Sequence, residues 1–401
     1  MTTQYTRFRT RLTHAGRHPS RHFGAVNPPV FHASTILSPN LAGRNAAKAG
    51  DRDQDGNKIY RYGRVGTPTS DAFEEAVAAA YHADDAIAVS SGMAAIACAL
   101  QAVVSEGDHI LVADTVYRPT RNYCENYLAR MGVETTYYDP TIGAGVADLI
   151  TDRTAAIYVE SPGSLTFEVM DIPAVASVAK ERNIPVMMDN TWASAMFFSP
   201  FEKGVDIVVE AVTKYICGHS DVMMGVMVAN APWAEKLRAM ARLQGQCCGP
   251  DDLYLAQRGL RTLAVRMKQN EANALALAAW LVTCPEVAEV RHPGLPSHPG
   301  HALWQRDFSG SSGLFSIVLH PIPEAAFAAM VDDLALYGIG ASWGGYESLV
   351  LNDDPSPVRS ATRWTAEGPL LRIHAGLEDI DDLKADLSAG FARVSAAVAA
   401  Q

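Results

Sequence analysis

The sequence predicts an α/β fold in which a mostly parallel sheet is covered by helices on both faces, with a smaller C-terminal α/β domain after it. Three observations carry that expectation. Apolar, strand-like runs alternate with helical patterns as far as about residue 258; a long helical stretch then takes over; and a shorter set of strands and helices closes the chain. With 401 residues, 48% hydrophobic and 19% charged, there is material for two or three domains and a large core.

In chain order, residues 1–65 read as an extended N-terminal arm. Up to Gly50 it holds no acidic residue, while Arg7, Arg9, Arg11, Arg17, Arg21, Arg44 and Lys48 are basic. The paired prolines of GAVNPPVFHAST favour an extended segment that must lie against something. An organelle leader shares this composition but has an amphipathic period that is missing here. A basic arm clasping a second subunit of an acidic body fits better. A polar loop, AGDRDQDGNK, follows.

Residues 66–258 hold the strand candidates AIAVSS (86–91), HILVAD (109–114), AAIYVES (155–161), IPVMMDN (184–190), VDIVVEAV (205–212) and MMGVMVA (223–229). Between them lie helical patterns such as GMAAIACALQAVV and IPAVASVAKERN. Residues 259–401 form the smaller domain. It begins with the helical RTLAVRMKQNEANALALAAWLV and a Pro/Gly/His loop, RHPGLPSHPGH. Strand GLFSIVLH, helix PEAAFAAMVDDLALYG, strand PLLRIHAG and a helix from Glu378 complete it.

The net charge of −11 argues against nucleic acid as the main partner, and no apolar run approaches the roughly 18 residues that span a bilayer. Six cysteines without a CxxC pair give neither a disulfide framework nor a zinc spacing, so a reducing, cytoplasmic location is expected.

Chemistry concentrates where strands end, because ligands of parallel sheets sit at the carboxyl edge. In VSSGMAAIACAL a strand feeds a turn that opens a helix, so Ser91, Gly92 and Met93 form a cup for a phosphate, although Ser and Gly are also ordinary N-caps. Asp189 ends VMMD with a poorly hydrated carboxylate that needs a cationic partner, either a ligand or a structural arginine. Lys214, with Thr213 beside it, follows the apolar DIVVEAV. Its head either reaches water or, held among apolar neighbours, loses its proton and becomes a nucleophile or base. Together the three fit pyridoxal 5'-phosphate, which needs an amine for its aldehyde, an acid for its pyridinium nitrogen and an anchor for its phosphate.

DIVVEAVTKYICGHSD resembles the lysine signature of the Cys/Met-metabolism family of pyridoxal-phosphate enzymes, which have fold type I. VNPPVFHAST, YGRVGTPT, SSGMAAI, DNTWAS, GLRTL, GLPSHPGH, SWGGYESL and LLRIHAGLED resemble further family blocks, so the likeness spans nearly the whole chain. The resemblance implies that Lys214 carries the cofactor covalently and moves protons, that Asp189 holds the pyridinium charge and that Tyr117 stacks on the ring. Gly92, Met93 and Thr213 lie near the phosphate, and Tyr62 and Arg64 reach it from a neighbouring subunit. The implied assembly is a dimer with shared sites, usually paired into a tetramer. Arg372 grips the substrate α-carboxylate, for which a planar bidentate donor is suited. His219, His292, His298 and His301 belong to the family pattern without a metal.

SWGGYESL is similar to bacterial cystathionine β-lyases, in which a tryptophan holds the place of Trp343 beside Ser342. The resemblance therefore implies cleavage of an amino-acid thioether at Cβ. Val65, Asn122 and Ala341 depart from the charged or tyrosine pattern where the far end of the substrate is read. A lyase for other cysteine S-conjugates, a γ-acting relative and an inactive cofactor-binding regulator are the alternatives.

Overall fold

The computed structural model describes residues 7–49 and 58–399. The expected loop AGDRDQDGNK lies almost wholly outside the described residues. Seven strands build the larger sheet: β1 (Asp85–Val89), β2 (His109–Ala113), β3 (Glu134–Tyr138), β4 (Thr154–Glu160), β5 (Val186–Asp189), β6 (Ile207–Glu210) and β7 (Gly225–Ala229), in the order β1-β7-β6-β5-β4-β2-β3. From β3 through β6 neighbouring pairs are parallel, while β7 runs antiparallel to β6 and to β1. Every residue of β2, β5, β6 and β7 is buried, so helices and loops cover both faces. That is why these strands read as unbroken apolar runs.

A second sheet, β10-β11-β12-β9-β8, forms from β8 (Val287–Arg291), β9 (Leu314–Leu319), β10 (Gly338–Ile339), β11 (Leu349–Asn352) and β12 (Leu370–His374). Apart from β10 with β11 its pairs are antiparallel. The helix Pro250–Leu281, 32 residues long, joins the two units. Leu253, Leu260, Leu263 and Met267 lie in the larger core, and Ala274, Leu277 and Leu281 in the smaller one. One rigid element thus crosses the expected division between residues 258 and 259.

The arm differs from the expected extended segment. Phe8–His14 is a helix that buries Leu12 on its own subunit. Arg261 holds this helix, donating to the carbonyls of Leu12 at 2.6 Å and Ala15 at 2.8 Å. Beyond it no helix forms from Gly24 to Ser38, in keeping with the paired prolines. The expected helix PEAAFAAMVDDLALYG is shorter, Glu324–Val331. The Asp386 carboxylate accepts the Ala335 and Leu336 N–H groups at 2.9 and 2.8 Å, which pins the tail as a turn.

Candidate active site

Four adjacent parallel strands, β6, β5, β4 and β2, deliver their carboxyl ends to one place. Asp189 and Glu160 are the last residues of β5 and β4, and they are register partners. Lys214 lies four residues past β6 and Tyr117 four past β2. Arg372 comes from β12 of the smaller sheet, and Ser342 and Trp343 from the loop between β10 and β11.

Lys214 Nζ donates to Ser342 Oγ at 2.7 Å and lies 5.4 Å from the centre of the Trp343 ring. Burial, with help from the Arg372 charge and against the pull of Asp189, lowers the ammonium pKa to about 8. The amine therefore gives up its proton at about pH 8, well below an ordinary lysine. Gly344 explains how the loop comes so close. Its φ is +86°, and a Cβ there would lie 3.0 Å from the Lys214 backbone, so only glycine suits the turn.

Asp189 is 9% exposed and accepts the Thr191 N–H at 2.9 Å. Burial raises its pKa against the Thr191 hydrogen bonds and the Lys214 charge. Among the described residues Asp189 has no arginine in ion-pair contact, which leaves a ligand cation as the natural partner of its charge. The Tyr117 ring is 46% exposed, and its backbone N–H donates to Glu160 at 2.7 Å. Burial, reinforced by Asp189 and Glu160, holds the Tyr117 phenol above its ordinary pKa. Burial and Asp189 likewise raise the Glu160 carboxyl well above the ordinary range.

Ser91 caps the helix Gly92–Val103, its Oγ accepting the Ala94 N–H at 3.0 Å. The first-turn amides of Gly92 and Met93 then point out of the helix with no intrahelical acceptor. A Cβ at Gly92 would lie 2.7 Å from the Ala211 Cβ, so the glycine lets this cup press against the turn that carries Lys214. Thr213 braces that turn, donating to the Met224 carbonyl at 3.1 Å and accepting the Met224 N–H at 3.0 Å. Arg372 Nη2 donates to the carbonyls of Ala341 and Ser342 at 3.3 and 3.2 Å. Burial lowers its pKa to about 10, so it stays cationic.

Tyr62 and Arg64 sit elsewhere, on a half-open face with Ser34, Gln246 and Cys247 around a cavity of about 270 Å³. Arg64 Nη1 donates to the Arg242 carbonyl at 3.3 Å and lies over the Tyr62 ring. Among the described residues, no hydrogen bond or ion pair joins either to Lys214, Asp189 or Arg372 of the same chain. Asn122 is exposed on the helix Arg118–Tyr123, where its carbonyl accepts from Asn126 at 2.9 Å. His292 and His298 serve turns: each Nδ1 accepts a glycine N–H at 3.0 Å, and burial lowers their pKa values to about 3 and about 4. Among the described residues no cluster of three His, Cys, Asp or Glu could hold a metal.

Sequence reasoning missed Glu160, although it ends a predicted strand just as Asp189 does. It also missed Glu210, which is 1% exposed at the end of β6. Tyr81 donates to Glu210, and Asn190 Nδ2 donates to Tyr81 at 3.1 Å. Burial pushes the Glu210 carboxyl up to about 8, the Tyr81 and Ser194 hydrogen bonds pull it down, and Asp189 pushes it further up. Glu210 is then a neutral acid in the folded protein at pH 7. Because its folded pKa lies above the ordinary 4.5, its contribution is full below about pH 4.5 and is lost as pH rises through about 8. Glu210→Gln, which stays neutral, is expected to match the parent melting temperature at pH 5. At pH 8.5 it should exceed it by about 2 °C or more. Parallel melting curves across that range check this.

These residues suit pyridoxal phosphate: an amine whose pKa is lowered to about 8, a buried carboxylate without an arginine partner among the described residues, an aromatic ring beside them and free helix-end amides that a glycine lets approach. Comparison with known proteins agrees. The family model described as Cys/Met metabolism PLP-dependent enzyme matches residues 9–392. A cystathionine beta-lyase of Salmonella typhimurium is 42% identical, covering 96% of this chain and 98% of the relative. An L-alanine/L-glutamate racemase of Wolbachia pipientis is 40% identical, covering 96% of both chains. The crystal structure of cystathionine gamma-lyase from Lactobacillus plantarum complexed with L-serine superposes with a TM-score of 0.88 at 31% identity, covering 97% of this chain and 100% of that one. The chain belongs to the Cys/Met metabolism family of pyridoxal-phosphate-dependent enzymes.

Proposed function

We propose that the chain is a carbon–sulfur β-lyase that splits L-cystathionine, with one water, into homocysteine, pyruvate and ammonia. The observation that carries this reading is the Lys214 amine, held 2.7 Å from Ser342 and facing the Trp343 ring at 5.4 Å. A base in that position takes the proton from Cα, and the indole limits the room for chemistry farther along the side chain. Bound pyridoxal phosphate supplies the electron sink that makes this proton acidic. Asp189 keeps a positive charge opposite its carboxylate, and Tyr117 covers the ring. Gly92 and Met93 offer amides to the phosphate, with Thr213 fixing the adjoining turn. Arg372 takes the α-carboxylate, and departure of the thiolate from Cβ follows.

Tyr62 and Arg64 line a cavity apart from Lys214, Asp189 and Arg372 of their own chain, which supports their serving a neighbouring copy. The arm adds Phe23, Val26 and Leu37, all exposed apolar residues, to the surface for such a contact. A dimer with shared sites, paired into a tetramer, is the assembly this favours. Residues 66–258 are its cofactor domain. Cytoplasmic residence fits six free cysteines, and among the described residues no helix is long and apolar enough to cross a membrane.

The test is product identity. Purified holoenzyme given L-cystathionine should release pyruvate in proportion to homocysteine. Ketobutyrate in its place would assign γ-elimination. D-alanine formed from L-alanine faster than pyruvate forms from cystathionine would assign racemisation, an outcome worth measuring because one 40% identical relative is a racemase. Bound cofactor without any product would mark a regulator.

A further inference from the structure

Next to Tyr117 and within reach of Arg372 lies a charge pair that the catalytic reading leaves without a task. Arg118 directly follows Tyr117 and opens the helix Arg118–Tyr123. Its Nη1 lies 3.7 Å from Asp353 Oδ1, and the two side chains are 47% and 30% exposed. Asp353 comes just after β11, in which Leu351 is the register partner of Arg372. Side chains alternate along a strand, so a residue two beyond Leu351 returns to the face that bears Arg372. The Asp353 charge accordingly raises the Arg372 pKa against the larger effect of burial.

The chain segments that carry the pair meet at one anchor, Asp114. Buried Asp114 accepts the Ser360 N–H at 3.0 Å, the Thr362 N–H at 2.8 Å and the Thr362 hydroxyl at 2.6 Å, which ties the segment after Asp353 to the larger unit. Asp114 also pairs with Arg121 at 2.5 Å, and Arg121 lies on the same short helix as Arg118 with its guanidinium 3.5 Å from the Tyr137 ring centre. The clamp at Asp114 therefore ties the segment at Ser360 and Thr362 to the helix that carries Arg118. An exposed ion pair as long as Arg118–Asp353 adds little to stability. Asn122, one turn along the helix from Arg118, brings no charge of its own.

A cation and an anion, side by side, loosely paired, part-exposed and close enough to Arg372 for the Asp353 charge to act on it, match a ligand that carries both charges itself. We propose that Arg118 and Asp353 read the far end of the substrate, Arg118 taking a distal carboxylate and Asp353 the ammonium beside it. The favoured substrate class is then a thioether with an amino acid at each end, rather than a cysteine bearing an alkyl or aryl group. This rests on the lyase reading above and narrows it.

The experiment compares holoenzyme of the parent, Arg118→Met and Asp353→Asn on L-cystathionine and on S-ethyl-L-cysteine, which has no distal charges. Each substitution is expected to raise KM for cystathionine about 10-fold, as loss of a charge-assisted contact does, with kcat within about threefold. KM for S-ethyl-L-cysteine should move less than about threefold. The double variant should lose less than the product of the two single effects, since both hold the same distal amino acid and loss of one contact loosens the other. Calorimetric titration of cystathionine into the Lys214→Ala protein, with and without Arg118→Met, reads the same loss of affinity in the absence of turnover. Equal effects on both substrates, or none on either, overturn the inference and leave the lyase reading standing. A parent enzyme that releases pyruvate from neither substrate overturns the lyase reading, and this inference with it.

Discussion

Lys214→Ala is expected to lower kcat/KM for cystathionine by at least about 1,000-fold, because it removes both the covalent anchor and the base at Cα. Pyruvate release by stopped assay checks it. The fold should not suffer. The Lys214 pKa is lowered to about 8 from an ordinary 10.5, first by burial. A group of this kind binds its proton less tightly when folded, so below about pH 8 the folded protein bears a poorly hydrated ammonium. Alanine relieves that cost, and the cofactor-free variant should melt no lower than the cofactor-free parent at pH 7. A variant that retained more than a tenth of parental activity would remove Lys214 from the chemistry.

Asp189→Asn should be nearly as damaging to activity and benign to the fold. Asparagine keeps the shape and can still accept from Thr191, but it carries no charge to hold a cation opposite. Loss of one partner of a buried pair costs about 3–5 kcal/mol, which corresponds to a fall in kcat/KM of about 150- to 5,000-fold. The stability argument points the other way. With no ligand bound, burial raises the Asp189 pKa, so the stabilising contribution of its protonated form is lost as pH rises through that raised value. At pH 7 the empty site works against the fold, and the cofactor-free Asn variant should be at least as stable as the cofactor-free parent. Bound cofactor should reverse that order. Melting curves with and without added pyridoxal phosphate separate this account from one in which Asp189 is merely structural, where both forms of the variant would be weakened.

The larger sheet was legible because its central strands are buried on both faces, and continuous apolar runs such as HILVA and VMMD leave little else to read. β3 escaped notice because ETTYY is an edge strand, mostly half-exposed, with no apolar run to mark it. The short strand Gly338–Ile339 offers only two residues of pattern. Lys214 and Asp189 could be found because a charge at the end of an apolar strand is conspicuous in the sequence. Glu210 stands in the same EAVTK stretch, yet its neutral state comes from burial, which arises only when distant elements pack over it, Tyr81, 129 residues away, among them. Arg118 and Asp353 present the same difficulty, since their pairing arises only when the smaller sheet docks beside Tyr117. The proline pair suggested that the whole arm is extended; burial of Leu12 won locally and made Phe8–His14 a helix.

The central claim is that one lysine holds the cofactor aldehyde. Borohydride reduction of the holoenzyme, digestion and mass spectrometry locate the attachment directly. The cofactor mass should appear on the peptide containing Lys214 and vanish in Lys214→Ala; attachment at another lysine, or at none, would contradict the account.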